Sequence, residues 1–267
     1  MPRASPAAPP APASRKIAEP GKGSSSERSL RLLSLLASEG RVQTLADLSA
    51  RLALPKVTTH RLCTQLLANG FLARDVDERS FVVGPALRKL ALDALNHGTA
   101  RALRHAVLDD LVGKVGETCN FTTRDGASVL YLDRVEAPWP WRLTMDVGVH
   151  VPLHCTASGK LFLALMPKAE RDELIAHLAL SRMTANTLTR ARDLRAECDA
   201  IERRDYALDR EEFIAGLLAL AVPVRDAAGQ VRAAIAVHAP VVRLSATAAV
   251  ALLPALKRAA VRIGRLL

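Results

Sequence analysis

Apolar residues recur at helical spacing through the first third of the chain and switch to shorter, strand-like runs after about residue 115. Four leucine-rich stripes come first: Leu30, Leu33, Leu35 and Leu36; Leu45, Leu48 and Leu52; Leu62, Cys63 and Leu66; and Leu87, Leu90, Ala91 and Leu95. Spacings of three, four and seven predict one apolar face per helix. The first helix is read as capped by Ser26 and ended by Gly40. Thr44 N-caps the second, with Asp47 where the positive helix end favours an acid. Leu54-Pro55 breaks it, Pro55 suits the first turn of a third helix, and Asn69-Gly70 ends that one. Segments 71–74 and 80–83 then form a small hairpin around the polar turn 75–79, which lacks the glycine such turns prefer.

Further along, a helix over 101–115 precedes strands 118–123 and 128–135 joined across Arg124-Asp125-Gly126, a hairpin signal. Strands are expected at 141–145 and 149–153, helices at 158–166, 168–179 and 193–204, and a strand at Tyr206. A second hairpin pairs 217–224 with 231–238 across Asp226-Ala227-Ala228-Gly229. A last helix starts at Ser245 and is kinked or broken by Pro254. Strands and helices interleave as in a sheet flanked by helices. The fold class is therefore α+β: an N-terminal winged helix-turn-helix, a linker helix and a C-terminal α/β domain. The expected division is 1–26 tail, 27–84 DNA-binding domain, 85–98 linker helix and 99–267 larger domain.

Two short helices joined by a tight turn are the plan of a helix-turn-helix. On the third helix Thr59, Leu62, Cys63 and Leu66 share the inward side. Val57, His60, Arg61 and Thr64 point the other way, with Thr58 on the flank and Lys56 at the helix start. Cations for phosphate or guanine, hydroxyls for phosphate or base edges and an apolar group for a thymine methyl make up a recognition surface. Arg74 and Arg79 of the hairpin are available to phosphates. With Thr44 at the start of the preceding helix, these nine residues are the expected DNA contacts. The plainer alternative is a small helical subdomain whose charged face is merely solvated.

Charge sharpens this picture. The 267-residue chain carries a formal charge of +10, which favours a polyanionic partner. Residues 1–83 hold 12 Lys+Arg against 7 Asp+Glu, and residues 84–267 hold 25 against 20, so each segment is +5 and the shorter one is the more densely positive. The four cysteines, Cys63, Cys119, Cys155 and Cys198, form no CxxC pair. That spacing argues against a zinc site and a disulfide framework and fits a reducing cytoplasm. No apolar run approaches a membrane span. The Ala- and Pro-rich segment 1–26 lacks the apolar core of a secretory signal; it reads as a disordered arm whose basic residues brush DNA, or as an inert tail.

Three clusters in the second domain carry possible chemistry. Val151-Pro152-Leu153-His154-Cys155-Thr156-Ala157-Ser158-Gly159-Lys160 runs from a strand into a helix, but it fails as a P-loop: His154 stands at the first glycine position and Leu161 at the Ser/Thr position. A Ser158/Lys160 or Cys155/His154 nucleophile is one reading. Helix N-terminal amides offered to an anion are another. Asp209, Glu211 and Glu212 are either an acid–base pair or metal set, or a solvated loop. His238, at the end of a strand, is either a ligand-facing group or a satisfied structural histidine.

Taken together, the winged helix, the linker helix, VPLHCTASGK, DREEF followed by GLLALAVPVRDAAGQVRAAIAV, and APVVRLS before the last helix resemble the IclR family of bacterial transcriptional regulators. The likeness runs from about Ser26 to the C-terminus. It implies a C-terminal α/β effector domain related to GAF-type sensor modules, a dimer or a dimer of dimers, and control of a catabolic operon in response to a small carboxylate or aromatic acid. It places backbone amides for the ligand at Ala157 and Ser158, a pocket acid at Asp209 and an apolar wall at Val151 and Leu217. Three positions that are a cysteine and two serines in small-oxoacid-binding members are Ala219, Ala236 and His238 here. That exchange turns the expectation from a glyoxylate- or pyruvate-like ligand towards a larger, flatter acid with an apolar body; Trp141 and Phe121 either line such a pocket or are plain core residues.

The expectation is thus a cytoplasmic, ligand-responsive, DNA-binding regulator that is not an enzyme, works as a homodimer or tetramer on a double-stranded operator, and needs no cofactor, metal or membrane. Its rival is a small-molecule hydrolase or transferase using the His154–Ser158 region with Asp209. No GxSxG elbow, HExxH pair or Rossmann fingerprint supports that rival.

Overall fold

The computed structural model describes residues 23–39, 42–75, 78–96, 98–140 and 145–267. Residues through Asp93 form one compact unit and Ala94–Leu267 a second.

The first unit begins with α1 (Ser25–Glu39), β1 (Gln43–Thr44), α2 (Leu45–Leu52) and α3 (Lys56–Ala68), followed by β2 (Leu72–Arg74), β3 (Ser80–Val83) and α4 (Pro85–Asn96). The cap of α1 is Ser24, whose Oγ accepts from the Glu27 amide at 3.2 Å, and not Ser26. Its buried residues are Leu32 and Leu36, whereas Leu30 is exposed, so the inward face is rotated from the expected one. Gly40 lies outside the described residues. At α2 the expected cap forms fully: Thr44 accepts from the Asp47 amide and the Asp47 carboxylate accepts from the Thr44 amide. Leu32, Leu36, Leu48, Leu54, Leu62, Cys63, Leu72 and Phe81 close into one core.

The hairpin of β2 and β3 gains a third strand that local periodicity does not signal, because β1 pairs with β3 through Gln43 opposite Phe81. In its turn, part of which lies outside the described residues, Glu78 takes a φ of 54°, the left-handed conformation a glycine adopts freely. Gly84 is required for another reason. A Cβ there would fall on the Gly70 carbonyl oxygen, where the backbone at the start of α4 runs against the end of α3.

The second unit is a six-stranded antiparallel sheet with helices on both faces. Its elements are α5 (Gly98–Val115), β4 (Thr118–Asp125), β5 (Ser128–Val135), β6 (His150–Pro152), α6 (Ala157–Leu165), α7 (Lys168–His177), α8 (Ala191–Arg204), β7 (Ala207–Arg210), β8 (Leu217–Arg225), β9 (Val231–Pro240), α9 (Ala246–Ala251) and α10 (Leu253–Gly264). The strand order is β6-β5-β4-β9-β8-β7, so the two expected hairpins lie side by side through β4 and β9. On one face α6 packs on β7, β8 and β9 and against α8; on the other α5 and α10 pack on the sheet and on each other. The C-terminal helix breaks between Ala251 and Leu253, just before Pro254. Of the strand expected at 141–145, residues 141–144 lie outside the described residues and Met145 is not in a strand. Asp209 lies within β7 rather than in a loop after it. Among the described residues no helix is long and apolar enough to cross a membrane.

Candidate functional site

Each unit carries one candidate surface. On α3 the inward residues Thr59, Leu62 and Cys63 are buried and Leu66 is half-buried. Lys56, His60, Arg61 and Thr64 are exposed, Thr58 is half-buried, and Val57 is 82% exposed. Arg74 lies over the Phe81 ring with its guanidinium 4.4 Å from the centroid, and it donates to the Arg79 carbonyl. Arg74 and Arg79 are both exposed, as is Thr44.

In the second unit all eight residues singled out for a ligand, Val151, Ala157, Ser158, Asp209, Leu217, Ala219, Ala236 and His238, line one cavity between the sheet and the start of α6. Asn120, Val129, Tyr131, Met145, Thr156 and Phe213 complete its wall. It is small, with a free volume of about 20 Å³. Phe121 does not reach it. It points through the opposite face of β4 and lies under the Arg104 guanidinium, 4.8 Å from the ring centroid. Trp141 lies outside the described residues.

One end of the cavity is built by the cap of α6. Thr156 Oγ1 donates to the Pro152 carbonyl at 2.7 Å and accepts from the Gly159 amide at 3.2 Å, while the Lys160 amide donates to the Thr156 carbonyl. Helical geometry leaves the Ala157 and Ser158 amides as the turn's remaining donors, at the positive end of the helix. Gly159 has no phosphate-loop role. A Cβ there would fall on the Leu153 carbonyl, so it lets α6 sit close against the strand it follows.

Opposite stands Asp209, whose Oδ1 accepts from the Glu212 amide at 2.7 Å and the Phe213 amide at 3.3 Å. Burial pushes its acid up to about 7 in spite of these amides, and the neighbouring Glu212 carboxylate pushes the same way. Behind it the buried Lys160 forms an ion pair with Glu212. On the sheet side the Asn120 amide meets His238 Nδ1 at 2.8 Å. Tyr131 is held as a protonated phenol by burial, up to about 12.

The nucleophile pairs considered from sequence do not assemble. His154 Nε2 donates to the Ser181 carbonyl at 2.9 Å, and Lys160 is engaged by Glu212. Burial pushes the Cys155 thiol up to about 12, which leaves it a small buried hydrophobe. Sequence reasoning passed over Asn120, Tyr131, Met145 and Phe213. A period-two reading of β4 sets Asn120 apart from Cys119 and Phe121. Only the pairing of β4 with β9 brings it beside His238.

Comparison with known proteins agrees with this architecture. The IclR helix-turn-helix domain matches residues 25–76, and the bacterial transcriptional regulator IclR C-terminal domain matches residues 93–265. The probable transcriptional regulator SauR of Cupriavidus necator is 40% identical over 233 residues, covering 87% of this chain and 92% of that protein. An IclR homologue from Microbacterium hydrocarbonoxydans, solved with 4-hydroxybenzoate, superposes with a TM-score of 0.55 at 26% identity, over 90% of this chain and 98% of that one. A double mutant of the PobR inducer-binding domain from Acinetobacter, solved with 3-hydroxybenzoic acid, gives a TM-score of 0.59 at 26% identity over 64% of this chain and all of that one. The relatives are transcriptional regulators rather than enzymes, and this chain belongs to the IclR family of bacterial transcriptional regulators.

Proposed function

We propose that this regulator binds an operator through α3 and the β2–β3 hairpin and changes its DNA affinity when a small organic acid fills the cavity of the second unit. In this reading residues 27–84 bind DNA, 85–98 link, and 99–267 sense the effector. The protein acts in the cytoplasm as a homodimer or tetramer on a catabolic operon. Lys56, Val57, Thr58, His60, Arg61 and Thr64 enter the major groove; Thr44, Arg74 and Arg79 contact the backbone.

The observation that carries the effector reading is the pairing across one cavity of two helix-start amides, at Ala157 and Ser158, with Asp209 and His238. A carboxylate is favoured at the amides by hydrogen bonds and by the helix dipole together. An Asp209 that holds its proton near neutral pH can donate to a ligand oxygen instead of repelling it. Two bodies fit this head. An aromatic hydroxy acid is supported by Tyr131, Phe213 and Leu217 in the wall, by the room beside Ala219 and Ala236, and by the hydroxybenzoates held by two structural neighbours. A compact acid is supported by the small free volume of the cavity.

A thermal-shift panel separates them. At a hundredfold excess over Kd a specific ligand stabilises by about 2.7 kcal/mol. Hydroxybenzoates are expected to raise Tm and to alter operator retention in a gel shift, with glyoxylate and pyruvate giving little. Stabilisation by the short oxoacids alone would assign the cavity to compact ligands. No response to any acid, together with turnover of one, would return the chain to the enzyme reading.

A further inference from the structure

Asn120, Arg134 and His238 form a hydrogen-bonded relay on the cavity side of the central strands. In the register of β4 against β9, His238 lies opposite Thr118 and Asn120 lies opposite Ala236, so Asn120 and His238 are diagonal neighbours on one face. Asn120 and His238 are buried, and the Arg134 side chain is 5% exposed. Arg134 donates from Nη1 to Asn120 Oδ1 at 3.2 Å. A guanidinium has only donors, so the oxygen of the Asn120 amide must face it. The amide nitrogen is thereby turned to His238 Nδ1, 2.8 Å away, and a nitrogen carrying two protons can only donate there. Nδ1 therefore holds a lone pair, and the imidazole is neutral with its proton on Nε2. An imidazolium would set two donors against each other inside a buried site.

We propose that Asn120 and Arg134 are positioning residues that fix His238 as the neutral Nε2–H tautomer, so that the cavity presents a hydrogen-bond donor there and selects an effector carrying an acceptor at that end. The selectivity rests on this cavity being the effector site; the tautomer does not. The relay also decides between the two roles open to a cavity histidine: His238 recognises an oxygen acceptor, such as a hydroxyl, ether or carbonyl, rather than forming an ion pair with the carboxylate. The anionic end is left to the amides of Ala157 and Ser158.

The test uses the full chain labelled with ¹⁵N at histidine and long-range proton–nitrogen correlation near neutral pH, with His238 identified by the signals lost in His238→Gln. The expected result is an unprotonated Nδ1 and a protonated Nε2. Asn120→Asp has the same shape but presents only acceptors, and it should move the proton to Nδ1. Arg134→Lys keeps a cationic donor to Oδ1 and should retain the wild-type pattern. A wild-type imidazolium or Nδ1–H ring overturns the relay, as does an unchanged tautomer in folded Asn120→Asp. If that variant does not fold, the wild-type spectrum decides alone. For selectivity the probes are 4-hydroxybenzoate and 4-methoxybenzoate, the second of which can only accept at its para oxygen. Asn120→Asp should shift preference towards the hydroxy acid by about tenfold or more, the cost of facing two acceptors in a buried site. Failure of both acids to bind wild type removes this selectivity together with the aromatic reading of the effector, whereas a wrong tautomer overturns the relay itself.

Discussion

Asp209 is the residue at which burial works most visibly against ionisation. Its carboxyl is buried at the end of a strand, and burial outweighs two backbone amides in setting its acidity, moving it from 3.8 to about 7. Below pH 4 the side chain is protonated in both folded and unfolded chains and has no differential effect. Between about 4 and 7 the unfolded chain gives up its proton and the folded chain keeps it, so stability falls as pH rises through that window. Asp209→Asn removes the titration while keeping an oxygen for the Glu212 and Phe213 amides. Its Tm should exceed that of wild type at pH 8, by about 2–4 °C for each kcal/mol in a chain of this size, and the gain should vanish towards pH 4. Melting curves across that range check it; an equal offset at every pH would mean that Asp209 does not titrate there. The same site bears on binding, because an ionised Asp209 would repel an acid that a protonated one holds.

At the scale of elements, α3 and the strands around the cavity were legible to different degrees. Arg61 stands exposed in the middle of the α3 outward face, on the side away from the buried Thr59, Leu62 and Cys63. Arg61→Ala should therefore leave Tm unchanged and cost about 1–3 kcal/mol of discrimination between operator and random DNA. Gel-shift titration at fixed salt reads this; an operator affinity equal to wild type would remove Arg61 from the contacts. The cap of α2, the Gly126 hairpin and the break near Pro254 could be read because each signal lies within a few residues of what it controls, whereas the α1 cap fell on Ser24 and not on Ser26. Gln43 pairing with Phe81, or Thr118 with His238, joins distant segments, and no local period announces either. For that reason Phe121 was considered for the cavity and is found on the other face, and Asn120, Tyr131, Met145 and Phe213 were missed. Ala157, Ser158, Asp209, Leu217 and His238, which line one cavity, sit in or beside stretches that resemble a family, a signal that does not depend on knowing the pairing.

At the scale of the whole molecule, the sequence and the two compact units together ask for a second copy of the chain. One helix-turn-helix covers only a few base pairs, and most operators recognised this way are read as two half-sites by two copies. The helix leaving the DNA-binding unit, α4, carries the stripe that would join them: Leu87 is half-buried and Leu90 is 55% exposed. An exposed leucine one turn from a half-buried one on the same helix is ordinary in a helix pair. Its first turn is anchored by the Ala86 amide to the Gly70 carbonyl, so pairing two α4 helices would also fix how two recognition helices are spaced. The chain is therefore expected to sediment as a dimer or larger at micromolar concentration. Leu90→Glu should shift it towards monomer while each DNA-binding unit keeps its fold, since the side chain lies outside that unit's core. Operator affinity should fall much more than affinity for a single half-site, because the second module loses the effective concentration that tethering provides. A wild-type monomer under these conditions would defeat the dimer reading. A Leu90→Glu protein that sediments and binds like wild type would move the interface away from α4 and onto the effector-sensing unit.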